Sequence, residues 1–283
     1  MSIQGQKIRT IRPDSREEEG SITAIRHLMG EIWIFRSHIW IVFREQFRSS
    51  YYGSGLGVFW SYVLPLIPLT VYLLLAKMRI FPNFEGVDGT VFITFGVTLW
   101  FLFSGCIQIP ISIIQSRNTE GMKTAFPLSA AIVSGFAQLL FDTLLRSTFV
   151  FGVMILTKSL PTLPGLLLPL VFLPAILLFV GMGLFLGMLN VVYTDISRIV
   201  AIALQYGIFI SGVIFPVSET GWLSKFNTFN PFFVFIEASR SLVYHGSITN
   251  LYNCAVMVGL AITVFIFSCR LFFIMEYRVR GIS

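Results

Sequence analysis

Two ionisable residues, Asp142 and Arg146, lie inside a long apolar stretch of the sequence. Their spacing of four residues places both side chains on one face of a helix, where they can form an ion pair. Charged side chains at membrane depth are costly unless they are paired or hydrated. The pair therefore predicts either a lock between packed helices or a polar point on a transport path. No series of further acids or histidines accompanies it, which argues against a proton-coupled pump.

Patterns of catalytic and metal-binding residues are missing from the sequence. The three histidines and three cysteines are spread along the chain, without metal-ligand spacing. The glycine-rich stretch 51–57 lacks the lysine and the following serine or threonine of a phosphate-binding loop. We therefore predict no catalytic residue, no metal and no cofactor on this chain. It is expected to be a conduit rather than an enzyme, with its energy source on another protein.

The elements that must position these residues are long apolar stretches. The chain is 55% hydrophobic and 12% charged, against about 25% charged in an ordinary soluble domain. A hydrocarbon core of about 30 Å needs about 20 helical residues. We predict an all-α membrane protein with six transmembrane helices. The predicted spans are 56–77, 91–115, 129–157, 165–193, 199–216 and 251–275.

The flanking segments complete the predicted organisation. Residues 1–30 are polar and predict a flexible cytoplasmic tail. Residues 31–55 carry apolar side chains at helical spacing and predict an amphipathic interfacial helix followed by a linker. Residues 56–283 form the predicted transmembrane domain. Within it, the interrupted segment 217–250 predicts short re-entrant or interfacial helices before the last span, with a seventh span as the alternative.

Basic residues predict the orientation. Most of the 20 lysines and arginines fall on the side that holds both termini, which places both termini in the cytoplasm and the chain in the cytoplasmic (inner) membrane as a multi-pass protein. The net charge of +6 is explained by topology and by contacts with anionic lipid headgroups, so membrane lipids rather than nucleic acid are the expected partners.

Aromatic residues are abundant and open to two interpretations. They could line a path for sugars, whose C–H faces pack on aromatic rings, or they could face lipid and form an interfacial belt. The candidates for a substrate path, together with Asp142 and Arg146, are Trp60, Tyr62, Trp100 and Phe101.

Five motifs occur in a recognisable order. Residues 44–60 read REQFRSSYYGSGLGVFW and are followed by Pro65, and residues 117–127 read RNTEGMKTAFP. Residues 193–198 read YTDISR, residues 215–216 read FP, and residues 230–240 read NPFFVFIEASR. This order resembles the ABC-2 type permeases, and the polysaccharide exporters of that family, for O-antigen, teichoic acid and capsule, match best. One departure is Thr194, where the family's motif has a basic residue.

The resemblance implies a six-span half-transporter that forms a homodimer and binds two copies of a separate ATPase subunit, which carries ATP and magnesium. It implies a lipid-linked polysaccharide as substrate and the N-terminal helix as a gate. The implied ATPase-coupling residues are Arg44, Glu45, Arg48, Arg117, Glu120, Lys123, Phe126 and Pro127. The implied gate on the far side involves Pro216, Asn230, Pro231, Glu237 and Arg240.

Three other functions stay open at this point. An ABC-2 permease for a drug or a small lipid would share the same architecture. A membrane glycosyltransferase or polymerase would need a carboxylate-rich external loop, which the sequence lacks. An ion-coupled transporter would need more acids at membrane depth and a visible internal repeat.

Overall fold

The computed structural model describes residues 20–49, 88–119, 126–217 and 221–281, together with single residues between 59 and 78. The predicted first span, 56–77, and the linker before it lie largely outside the described residues. The described chain is helical and contains no strand. Its helices are α1 (Ser21–Ile34), α2 (Arg36–Ser49), α3 (Gly89–Thr119), α4 (Leu128–Leu156), α5 (Leu168–Val192), α6 (Asp195–Ile210), α7 (Trp222–Phe229), α8 (Pro231–His245) and α9 (Leu251–Gly281), with a 3-10 turn (Leu163–Leu167) before α5.

Four of the described helical segments are long and apolar enough to cross a membrane. They are Gly89–Ser116, Leu128–Leu156, Leu163–Val192 and Leu251–Glu276, and they coincide with the second, third, fourth and sixth predicted spans. The described part of the chain is therefore helical, and its long apolar helices are those of an integral membrane protein. The predicted span 199–216 corresponds to the shorter helix α6, which ends at Ile210 and is followed by a turn.

Helix α3 forms the centre of the bundle and packs against both α4 and α5. Phe103 of α3 stacks on Phe179 of α5, with 4.8 Å between the ring centroids. One helical turn further on, a Cβ at Gly183 would lie 2.7 Å from the carbonyl oxygens of Cys106 and Ile107. The absence of a side chain at Gly183 therefore lets the backbones of α3 and α5 approach closely, as small residues do between membrane helices.

The segment between α6 and α9 folds as two short helices. Gly212, in the turn after α6, has φ = +64°, a backbone conformation that favours glycine. Helix α8 has 15 residues, and at 1.5 Å per residue it is too short to cross a bilayer. The short helices agree with the prediction for 217–250, and the alternative of a seventh span is not supported.

The N-terminal segment is more ordered than the prediction of a tail over 1–30. Residues 21–30 belong to α1, because Ala24 and Leu28, one turn apart, are buried in a cluster with α9 residues such as Phe272. Helix α2 follows immediately and packs along α4. On α2, Ile39 and Phe43 are half-buried, whereas Trp40 is exposed. Residues 1–19 lie outside the described residues.

Candidate functional site

A groove with mixed polar and apolar walls opens between α3, α4 and α6, near the middle of the two long helices. Its volume is about 470 Å³. Its polar lining residues are Ser104, Gln108, Asp142, Arg146 and Gln205, and its apolar lining residues are Trp100, Phe101, Gly105, Leu139, Ala201, Leu204 and Ile208. The structure thus brings together Trp100, Phe101, Asp142 and Arg146 from the predicted substrate path. Trp60 and Tyr62 lie outside the described residues.

Asp142 and Arg146 are half-buried in the groove wall, and each has neighbours that orient it. The side-chain amide of Gln138 donates a hydrogen bond of 3.0 Å to Oδ1 of Asp142. The guanidinium carbon of Arg146 lies 4.6 Å from the centroid of the Phe101 ring, within the range of a cation–π contact. Both charges therefore face a cavity instead of being enclosed between packed helices, which favours the polar-path interpretation over a purely structural lock.

Two glutamines line the same groove as these charges. Gln108 of α3 and Gln205 of α6 are exposed to the groove, and neither side chain forms a hydrogen bond with any group in the described ranges. An amide can donate two hydrogen bonds and accept two more. Gln108 lies inside a helix of spanning length, and a polar group without a protein partner at membrane depth requires water or a ligand. The groove is therefore a site that is wet or occupied.

Trp100 and Phe101 differ in their surroundings although both line the groove. Trp100 is 4% exposed, and its ring centroid lies 4.3 Å from that of Phe232 in α8. Gly207 of α6 leaves room for this indole, because a Cβ there would lie 3.0 Å from the ring. Trp100 is therefore mainly a core residue that reaches the groove with one edge, whereas Phe101 is half-buried beside Arg146.

A second polar feature lies where α6 ends, at the opposite end of the bundle from α1. Arg240 of α8 is 2% exposed, and its guanidinium donates hydrogen bonds to three carbonyl oxygens. The acceptors are Gly212 at 2.7 Å, Val213 at 2.7 Å and Phe92 at 3.2 Å. Burial lowers the pKa of Arg240, and the nearby carboxylate of Glu237 opposes this shift. The side chain thus joins α8, the turn after α6 and the first turn of α3.

Gly96 of α3 makes room for this contact. A Cβ at Gly96 would overlap Nη2 of Arg240, so no larger residue fits while the guanidinium holds its position. The other side of the guanidinium lies on the ring of Phe92, with 3.5 Å from its carbon to the ring centroid. Arg240 is therefore enclosed by α3 and serves as a fixed brace and not as a mobile charge.

Two asparagines hold the end of α6 against the start of α8. Asn227 donates from Nδ2 to the carbonyl oxygen of Ile210, 3.0 Å away, at the last residue of α6. Asn230 donates from Nδ2 to Oγ of Ser211 at 2.9 Å and to Oδ1 of Asn227 at 3.0 Å. Its own Oδ1 accepts from the backbone N–H of Phe232 at 3.1 Å and so caps α8. This network fixes the turn that ends α6 at Ile210.

The remaining residues of the predicted far-side gate lie in the same segment of the chain as Arg240. Pro231 is the first residue of α8, where its missing N–H costs nothing. Pro216 is exposed in the turn after α6. Glu237 lies 3.7 Å from Nη1 of Arg240, and its side chain is 41% exposed. Pro216, Asn230, Pro231, Glu237 and Arg240 thus share one segment, which we call the hairpin and define as residues 211–217 and 221–245.

The other end of the bundle collects α1, the start of α4 and the end of α9. The carboxylate of Glu31 accepts a hydrogen bond of 3.0 Å from Oγ of Ser129. Phe35, between α1 and α2, makes an edge contact with Phe126, with 6.1 Å between the ring centroids. Pro127 is buried and is the N-cap residue of α4. Phe126 and the start of α4 are therefore held against the N-terminal helices.

Only some of the predicted ATPase-coupling residues lie in the described part of the chain. Arg44, Glu45 and Arg48 are exposed near the end of α2. Arg117 belongs to the last turn of α3. Glu120 and Lys123 lie outside the described residues, as does the side chain of Arg117.

Sequence reasoning missed three residues of these sites. Gln108 and Gln205 are single amides in apolar runs, and nothing in their spacing relates them to Asp142 before the helices are packed. Glu276 offered a signal, since it is an acid directly after the apolar run of the last span. It is 1% exposed, and its Oε1 accepts a hydrogen bond of 3.2 Å from the backbone N–H of Leu128.

The fold and the groove define a class of protein, an integral membrane protein whose helices of spanning length enclose an apolar core and border a groove with polar residues. The ABC-2 type transporter family matches residues 37–244, about three quarters of the chain. The chain belongs to this family. It is also 24% identical over 191 residues to the O-antigen export system permease protein RfbA of Myxococcus xanthus, a match that covers 68% of this chain and 73% of that protein. The family assignment predicted from the motifs is thus confirmed.

Proposed function

We propose that this chain is the transmembrane permease subunit of an ATP-driven ABC exporter that moves a lipid-linked polysaccharide, such as an O-antigen, across the cytoplasmic membrane. The observation that carries the proposal is the match to an O-antigen export permease over 68% of the chain. The groove between α3, α4 and α6 supports it, because a hydroxyl-rich cargo needs polar partners at membrane depth.

The proposed assembly is a homodimer of this chain with two copies of a separate ATPase subunit that binds ATP and magnesium. One helical bundle of this size encloses little room for a polymer, so the path would lie between two protomers, and the groove between α3, α4 and α6 would open toward it. Both termini would be cytoplasmic, as the distribution of basic residues predicts.

In the proposed mechanism the 117–127 motif carries movement from the ATPase into the membrane. The contacts of Ser129 with Glu31 and of Phe126 with Phe35 would make the start of α4 and the N-terminal helices move together. Because α4 is one continuous helix, a displacement at Leu128 also displaces Asp142, about 20 Å further along. Arg44, Glu45, Arg48, Arg117, Glu120 and Lys123 would supply contacts with the ATPase.

The hairpin, residues 211–217 and 221–245, would form the gate on the far side of the membrane. The brace between Arg240 and the carbonyl oxygens of α3 and of the turn after α6 supports a gate that moves as a unit with α3. Opening would then require movement of helices rather than of a single loop.

The proposal is tested by purification from the native host followed by reconstitution. A chain with a nucleotide-binding motif should co-purify, and export of the lipid-linked glycan into vesicles should require ATP. An ATPase subunit with its phosphate-binding lysine replaced is the matched control and should abolish export. Transport by this chain alone, without ATP, would contradict the proposal.

The same reconstitution separates the other functions. ATP-dependent export of a small lipid with no export of glycan would favour the small-substrate permease. Incorporation of sugar by the purified chain without ATP would favour a glycosyltransferase.

A further inference from the structure

The residues that line the groove between α3, α4 and α6 indicate which part of a lipid-linked glycan could bind there. Its volume of about 470 Å³ falls within the range of about 300–1,000 Å³ that is typical of pockets for small ligands. The question is which part of the cargo fits: the apolar lipid chain, the anionic diphosphate, or the sugars.

The polar lining argues against a lipid chain. Asp142 and Arg146 share this lining with two amides, Gln108 and Gln205, whose side chains have no hydrogen-bond partner in the described part of the chain. An apolar chain in this groove would leave the two amides without a hydrogen-bond partner, which costs free energy for each of them.

The charge balance argues against an anionic group. The lining contains one carboxylate and one guanidinium, so its formal charge is zero. Sites for phosphates use several cationic side chains or the N-termini of helices. Here the residues come from the interiors of α3, α4 and α6, and the guanidinium is already stacked on Phe101.

Sugars fit the remaining chemistry. Amides, a carboxylate and a guanidinium together offer both donors and acceptors, as a ring of hydroxyl groups requires. The apolar part of the lining, with Leu139, Leu204 and Ile208, offers packing for C–H faces.

We propose that Gln108, Gln205, Asp142 and Arg146 form a subsite that binds uncharged sugar units of the polymer during its passage and does not bind the diphosphate of the lipid carrier. This inference rests on the proposed function, and it adds the residues and the part of the cargo that they bind.

Cysteine labelling in the full complex tests the subsite in the host cell. Gln205→Cys should react with a water-soluble, membrane-impermeant thiol reagent in cells whose cargo-assembly enzymes are deleted. It should be protected several-fold when the polymer is being made. The matched control is Ile262→Cys, exposed near the middle of α9 and away from the groove, which should stay unlabelled in both conditions. The three native cysteines are buried and set the background.

Inorganic pyrophosphate, added to the purified complex, distinguishes the two polar parts of the cargo. We expect no protection of the cysteine by pyrophosphate. Protection by pyrophosphate would overturn the inference in favour of a diphosphate site. Labelling that is absent without cargo, or unchanged by it, would overturn the inference altogether.

Export measurements keep this inference separate from the proposed function. Gln108→Leu and Gln205→Leu keep the size of the side chain but remove the amide, and each should lower export of polymer several-fold. Export by both variants at the rate of the unmodified chain would refute the subsite while leaving the permease function intact. Failure of the unmodified complex to export any glycan would refute the proposed function itself.

Discussion

Glu276, near the end of α9, accepts a hydrogen bond of 3.2 Å from the backbone N–H of Leu128, the first residue of α4. The carboxylate is 1% exposed. A negative charge at the N-terminus of a helix is favourable, because the first N–H groups of the helix lack internal partners. The last helix of the chain thereby fixes the point at which the segment after the 117–127 motif enters the bundle.

Replacing Glu276 should destabilise the protein. We expect Glu276→Ala to lower the free energy of unfolding by about 1–3 kcal/mol, because a buried N–H loses its acceptor. Glu276→Gln keeps an acceptor oxygen and should cost less. Thermal unfolding of the detergent-purified protein measures both. Equal stability of Glu276→Ala and the unmodified chain would show that this contact does not hold α4.

Arg240 and Gly96 should behave as a coupled pair. Gly96→Ala places a methyl group where the guanidinium lies, and overpacking of this kind costs about 1–3 kcal/mol. In an Arg240→Ala background the same substitution should cost much less, since the obstructing group is gone. A double-mutant cycle on unfolding free energies measures the difference. Additive effects would mean that the guanidinium moves aside at little cost.

Much of this architecture follows from sequence, because spans and family motifs are local signals. The apolar run from Gly165 to Tyr193 predicts its helix by length alone, and α5 with its preceding turn covers nearly the same residues. The end of α6 could not be predicted from the length of its apolar run. Its apolar run continues to Pro216, but the carbonyl oxygen of Ile210 bonds to Asn227, which is 17 residues away.

The candidate site likewise contains residues that the sequence indicates and residues that only the packed structure reveals. Asp142 and Arg146 stand out because charge is rare in an apolar stretch. Gln108 and Gln205 become notable only when α3 and α6 are packed against α4, since a single amide in a helix carries no positional signal. Trp100 is a predicted path residue that lines the groove, and Gly207 and Phe232 form a slot that holds most of its ring in the core.

Asn230 should be more important for the hairpin than its size suggests. Asn230→Ala removes the cap of α8 and the bonds to Ser211 and Asn227 together. Loss of an N-cap alone costs about 1 kcal/mol, and buried groups left without partners add to it. Asn230→Asp keeps the cap but loses both donors, so it separates the two contributions. Proteolysis near the hairpin and thermal unfolding measure the loss. If Asn230→Ala resists proteolysis as well as the unmodified chain does, the hydrogen bonds of Asn230 do not hold this turn.

Substitutions at Asp142 and Arg146 distinguish a structural lock between helices from a hydrated transport path. If the two charges were enclosed, removing one of them would leave a buried charge without compensation, at a cost of about 3–5 kcal/mol. Because both line an open groove, we expect Arg146→Met and Asp142→Asn to change stability little. Their coupling in a double-mutant cycle should stay within about 1 kcal/mol, as for solvated ion pairs. Leu139→Ala, in the apolar part of the same wall, serves as a packing control. A large loss of unfolding free energy in Arg146→Met that the added Asp142→Asn substitution relieves would support the structural lock. The two charges would then not be available to bind cargo.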